Sequence, residues 1–412
     1  MISVSDTNDV GGAGGAIPGA LAGLKVIDLG QFYLAPYCAM LLARLGAEVI
    51  KIESPEGDPY RRLPTVDAAG EPLQFAFLNS GKRTMRLNLK QPEGQEVLRR
   101  LAEWADVLVQ NLSPGAMDRF GLGYDVLSAL NPRLVMASGT GFGSFGPYAG
   151  EPAMDLTIQA RTAVMSTTGF DDGPPVRTGP SVVDFMGGAH LAAGVLAALV
   201  QRGITGRGQH VEVALQDAIL PALTSNIAGY LSSGGTMAER TGNRHGGSAV
   251  VPYNAYPTAD GWITILCPTN AHWHRLTALM GDARATDPRL ADMHARCRSI
   301  DEVDAIVGEW TAHRRKADLE KVLKEHRIPC AAVVTLPELL EDPHVKARGV
   351  LRTVTDERGS FMTLGSPLFL SDSPVEDPAR PHGLGEDTDA ILGEELGMSG
   401  EEIDRLRAAG TV

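Results

Sequence analysis

The chain has 412 residues, 43% of them hydrophobic, and a formal net charge of −13. That is enough apolar material for a large core and more than one domain, and the acidic balance excludes nucleic acid or an anionic membrane as the main partner. Four widely spaced cysteines, Cys38, Cys267, Cys297 and Cys330, show neither metal-type pairs nor a disulfide rhythm, so a reducing, cytoplasmic setting without a bound metal is expected. No apolar run of membrane-spanning length and no leader pattern is evident, and no membrane partner is expected.

Residues 1–20 are rich in Gly, Ala and Ser and read as a flexible tail. From Gly23 to about Gly146 strands and helices alternate. Leu24–Leu29 reads as a strand, and Pro36–Leu45 as a helix with proline in its first turn and Gly46 just past its end. Ala47–Ile52, Thr84–Leu89, Val107–Val109 and Leu134–Ala137 read as further strands. In Pro92–Trp104 the apolar residues Val97, Leu98, Leu101 and Trp104 recur at helical spacing. The alternation predicts a parallel sheet with helical cover, an α/β domain of Rossmann type. Gly141-Phe-Gly-Ser-Phe-Gly146 fits G-x-G-x-x-G, but Pro147 and Tyr148 follow where a phosphate site needs a helix N-terminus. It reads as a glycine loop lining a pocket, and no nucleotide cofactor is expected there.

The stretch from Ser166 to Gln201 carries the most information. A Gly/Pro turn and a short extended run lead to Asp184, and a helix rich in small residues follows. An Asp in that place is ordinarily an N-cap. Gly187, Gly188 and Ala189 behind it leave room for a ligand to approach the backbone. Further on, His210–Leu215 reads as an alternating strand, and a linker is expected near Ser232. Trp262–Leu266 and Ile328–Val334 read as strands, Val303–Lys324 as a helical stretch, and the last part as short strands before a charged helix, Gly400–Ala409. His272-Trp-His274 lacks a third ligand at metal spacing and reads as a helix start. Lys82, Arg83, Arg86, Lys90 and Arg119 are basic residues in an acidic chain and mark a candidate anion site, where a charge-assisted bond contributes about 1.5–3 kcal/mol.

Taken together, Gly23-Leu-Lys-Val-Ile-Asp-Leu29, Leu45-Gly-Ala-Glu-Val-Ile-Lys-Ile-Glu53, Leu78-Asn-Ser-Gly-Lys-Arg83, Pro114-Gly-Ala-Met-Asp118, Ser166-Thr-Thr-Gly-Phe170, Gly206-Arg-Gly-Gln209 and Ile328-Pro-Cys330 resemble the class III CoA-transferases. That group includes formyl-CoA transferase, carnitine CoA-transferase and α-methylacyl-CoA racemase. The likeness runs from Leu21 to Val412. It implies a Rossmann-like large domain (21–230), a smaller α+β domain (231–340), a C-terminal part (341–412) returning to the large one, and an interlocked homodimer. It implies a nucleophilic carboxylate at Asp184 and coenzyme A contacts at Tyr33, Leu34, Leu87, Asn88, Leu89, Lys90, Asn111, Leu112, Ser113, Arg119, Met154 and Asp155. It also implies an active-site loop at Gly246 and Gly247. The acyl-CoA is then a substrate, with no permanently bound cofactor and a small carboxylic acid as second substrate.

The chemistry this permits is covalent catalysis by a carboxylate. Attack on the thioester gives a mixed anhydride, and the CoA thiolate then takes the aspartyl carbonyl to form an aspartyl-CoA thioester. An Asp of ordinary pKa is ionised at neutral pH, so the expected help is proximity, desolvation and backbone N–H groups near Gly187, Gly188 or the Gly246–Gly247 loop. The racemases of the group work with a His and an Asp, and Met154 stands where they place the His. For the second carboxylate of a dicarboxylic substrate such as succinyl-CoA, Arg61, Arg62 and His245 are the candidates.

Overall fold

The computed structural model describes residues 17–67 and 70–412, so the expected tail falls almost wholly outside them. Six strands, β1 (Lys25–Asp28), β2 (Glu48–Glu53), β3 (Arg83–Arg86), β4 (Val107–Gln110), β5 (Val135–Thr140) and β6 (His210–Ala214), form one sheet in the order β3-β2-β1-β4-β5-β6. Every pairing in it is parallel. The inner strands are apolar on both faces: Val26, Ile27, Val107, Leu108 and Val109 are fully buried, as parallel strands covered on two sides must be. The predicted α/β class with a Rossmann-type parallel sheet is the observed one.

One face of the sheet carries the helices Leu34–Arg44 and Val182–Thr205, packed through Cys38, Leu42, Val183, Leu191 and Val195. The other carries the Pro92–Trp104 helix together with Ile391, Leu392, Ile403, Leu406 and Val412 from the C-terminal end. Smaller antiparallel sheets follow in the chain: β7 (Tyr253–Thr258), β8 (Gly261–Leu266) and β9 (Cys330–Ala332), then a hairpin of β10 (Leu351–Asp356) and β11 (Gly359–Leu364). The three-stranded sheet has its own apolar cluster around Tyr256, Ile263, Trp273 and Leu323.

Several local expectations need correction. No strand precedes Asp184; the helix begins at Val182, which makes Asp184 a residue of its first turn and not its cap. The expected helical stretch 303–324 is two helices, Ile300–Ala312 and Lys316–Glu325. The Val182–Thr205 helix is long and apolar enough to cross a membrane, contrary to the sequence reading. Its Val183, Leu191 and Val195 are fully buried in the core against the Leu34–Arg44 helix, while Val200 and Ile204 stand exposed.

Candidate active site

In the order β3-β2-β1-β4-β5-β6 the chain reverses direction between β1 and β4, and open α/β sheets bind ligands beyond the carboxyl ends of the strands at that point. A cavity of about 490 Å³ lies there. Its walls are Gln31, Phe32 and Leu34 after β1, Asn111 to Pro114 after β4, Gly139 to Gly141 at the end of β5, Glu151 to Met154, and Asp184. A second cavity of about 320 Å³ is walled by Glu53 to Glu56 after β2 and Leu87 to Lys90 after β3. Gln31, Leu112 and Phe120 line both. The two cavities therefore adjoin across shared walls, Asp184 lining only the first and Lys90 only the second.

Asp184 is 9% exposed. Burial and the neighbouring carboxylate of Asp155 push its pKa up to about 7, which replaces the expectation of an ordinary, fully ionised Asp. Asp155 opens the helix Asp155–Arg161. Its Oδ2 accepts the backbone N–H of Val183 (3.0 Å) and of Asp184 (3.2 Å), so it caps the helix that carries Asp184. The open amides of that helix end are thus occupied.

Gly187 and Gly188 do not open the backbone to a ligand. A Cβ on Gly188 would meet the Leu34 carbonyl oxygen at 2.6 Å, and one on Gly187 would meet the Leu215 side chain at 2.5 Å. They let two helices and a neighbouring segment close together, and their place within the helix turns their N–H groups into its own ladder. The Gly246–Gly247 segment lies against the Thr224–Ser232 helix, with Gly247 N–H donating to His245 Nδ1 (3.1 Å). It is absent from the walls of the Asp184 cavity.

Of the expected coenzyme contacts, Leu34, Asn111, Leu112, Ser113, Arg119 and Met154 line the Asp184 cavity, and Leu87, Asn88, Leu89 and Lys90 line its neighbour. Asn111 already has both ends of its amide engaged, accepting from Gln31 N–H and donating to Gln31 O, each at 2.8 Å. It ties the two sides of the crevice together. Tyr33 and Asp155 are not wall residues; Tyr33 packs on Phe185 with ring centroids 5.3 Å apart.

The basic cluster divides. Lys82 is fully buried on Asp28 (2.7 Å), Arg83 pairs with Glu48 and Glu395, and Arg86 donates to the carbonyl of Val412. Lys90 and Arg119 stay exposed. The Arg119 guanidinium folds over Pro114 O and Ser113 Oγ on the cavity wall. Arg61 is held bidentately by Glu53 at 2.7 Å, and neither Arg62 nor His245 reaches the Asp184 cavity. These three do not offer a second-carboxylate anchor there.

Sequence reasoning missed Gln31, Phe32, Phe120 and Glu151, all in the cavity walls, and Tyr60 beside Tyr33. The carboxyl end of β1 in a Rossmann-type sheet was signal enough for Gln31. Phe32 takes a left-handed backbone, φ +61°, for which phenylalanine carries no sequence signature. Among the described residues no three His, Cys, Asp or Glu cluster as metal ligands.

Comparison with known proteins matches the same frame. The model of CoA-transferase family III covers residues 21–388. The chain belongs to that family. Its relatives include a formyl-CoA:oxalate CoA-transferase of Streptomyces coelicolor, 39% identical over 95% of this chain and 99% of that one. A succinyl-CoA–D-citramalate CoA-transferase of Chloroflexus aurantiacus is 35% identical over 95% and 98%. A CaiB/BaiF family structure from Brucella suis superposes with a TM-score of 0.80 at 33% identity, covering 92% of this chain and all of its own. In this family III chain the buried Asp184 and the exposed Arg119 line one cavity of the crevice, and the exposed Lys90 lines its neighbour.

Proposed function

We propose that the protein moves coenzyme A from an acyl-CoA to a small carboxylic acid through an aspartyl-CoA thioester on Asp184. The observation that carries the reading is Asp184 itself. It is a carboxylate kept from water, with its pKa at about 7, in the wall of one of two adjoining cavities, the other of which is lined by Lys90. A raised pKa makes the ionised form a better nucleophile, and about half of it is present at neutral pH. The exposed Lys90 and Arg119 are the cations proposed to meet the phosphates, with the thioester in the Asp184 cavity. Attack of Asp184 on the acyl carbon expels the CoA thiolate and leaves a mixed anhydride, and the thiolate then takes the aspartyl carbonyl and releases the donor acid. The acceptor carboxylate attacks the aspartyl-CoA thioester, and the thiolate it expels attacks the acceptor's carbonyl in the new anhydride, giving the product thioester and free Asp184. The donor is proposed to be succinyl-CoA or another dicarboxyl-CoA, by likeness to the citramalate relative.

A homodimer is proposed as the working form. It is supported by large apolar side chains left in solvent, Val200 at 70%, Ile204 at 83%, Leu231 at 70% and Leu336 at 75%.

Racemisation is disfavoured by the second base it needs. Met154, half-exposed on the cavity wall, carries no proton, and Asp155 is turned onto the helix N–H groups. A coenzyme-binding protein without catalysis is separated by one substitution. Asp184→Ala is expected to abolish CoA transfer while free CoA still binds in a calorimeter; retained transfer would sink the nucleophile assignment.

A further inference from the structure

Lys51 lies at the centre of β2 and is fully buried. Its Nζ donates to the Gly30 carbonyl at 2.7 Å and pairs with Asp58 Oδ2 at 3.1 Å. Gly30 is also held through its N–H by Asp28 Oδ1 at 2.7 Å, while Asp28 Oδ2 takes Lys82. Burial disfavours the Lys51 charge, but Asp28, Asp58 and Glu53 outweigh it and hold its pKa above the ordinary lysine value.

The two partners of this ammonium lead to the same place. Gly30 begins the turn that carries Phe32 and Tyr33. Asp58 caps the short Pro59–Arg62 turn through Tyr60 N–H at 2.9 Å. Phe32 and Tyr60 then meet edge to face with centroids 5.5 Å apart, Tyr60 and Tyr33 at 4.9 Å, and Tyr33 reaches Phe185, the neighbour of Asp184. Phe32 shares the cavity wall with Asp184. A phenylalanine at positive φ persists only where its surroundings over-determine it. Gly30 and the Gln31–Asn111 pair supply that restraint on one side and Tyr60 on the other.

We propose that Lys51 is a positioning residue for acyl transfer: its ammonium locks the Phe32 turn to the Tyr60 turn and so fixes a dry aromatic wall beside Asp184. The proposal rests on reading Asp184 as the nucleophile. Lys51 touches no substrate and acts only through these turns.

Lys51→Met alone strands the buried Asp58 carboxylate and risks the fold. The double substitution Lys51→Met with Asp58→Asn removes the ion pair as a unit. Asp28 keeps Lys82, and an amide oxygen at position 58 still accepts from Tyr60 N–H. In stopped-time mass measurements with an excess of succinyl-CoA, the rate of Asp184 adduct formation is expected to fall roughly 10²-fold. Affinity for free CoA and the melting temperature are expected to stay as in the wild type. An undiminished rate, or a rate that falls only in step with CoA affinity or folding, overturns the positioning role. A wild-type protein that turns over with no Asp184 adduct removes the nucleophile reading and this proposal with it.

Discussion

Asp184 takes its character from its burial, from Asp155, which the sequence does not place beside it, and from the first turn of its own helix. Burial removes water, Asp155 adds a like charge, and the first-turn N–H groups of Val183 and Asp184 are taken by Asp155. The consequence for stability has a definite sign. With the folded pKa raised to about 7, the folded state binds more protons than the unfolded one between the ordinary Asp value and pH 7. The stability contributed by this group is complete below about pH 4 and is lost as pH rises through 7. Asp184→Asn removes the ionisation. The variant is therefore expected to gain on the wild type from pH 5 to pH 8, levelling off at about 2–4 kcal/mol. Urea denaturation at the two pH values measures it; a difference independent of pH would mean that Asp184 titrates normally. The same ionisation predicts that transfer activity rises with pH through a midpoint near 7.

At the scale of elements, the packing of the Val182–Thr205 helix on the Leu34–Arg44 helix fixes where Asp184 stands. Gly188→Ala should gain about 1 kcal/mol from helix propensity alone. Here the new Cβ meets a carbonyl oxygen of the backbone at 2.6 Å, which cannot swing aside, and overpacking costs typically 1–3 kcal/mol. Net destabilisation is expected in thermal melts, with activity lost in parallel; a stabilised variant would show that the helices separate freely. Such packing roles explain what was and was not legible in the sequence. Strands with period and flanking turns, β1, β2, β4 and β8 among them, were readable to within about two residues, because their burial pattern is local. The contents of the site were less so. Lys82 and Arg83 read as available cations until their long-range partners Asp28 and Glu395 were in view, and Arg61 until the turn after β2 was seen to fold it back on Glu53. The helix start before Asp184 was hidden because its cap comes from Asp155, twenty-nine residues back.

For the whole molecule, the sheet order is what gathers the chemistry. A reversal between β1 and β4 opens one crevice, and loops after β1, β2, β3, β4 and β5 converge on it from residues 29 to 154. The C-terminal residues close the opposite face, Val412 accepting from Arg86 and Leu406 filling the cluster below β1 and β4. The central claim is that this crevice brings a thioester to Asp184. Intact mass after incubation with formyl-, acetyl-, succinyl- and 2-methylacyl-CoA tests it most directly. The account predicts a CoA-sized or acyl-sized adduct that maps to Asp184 and disappears in Asp184→Ala. No adduct with any donor, together with exchange of the α-proton of the 2-methylacyl-CoA into deuterated solvent, would contradict it and make the protein a racemase.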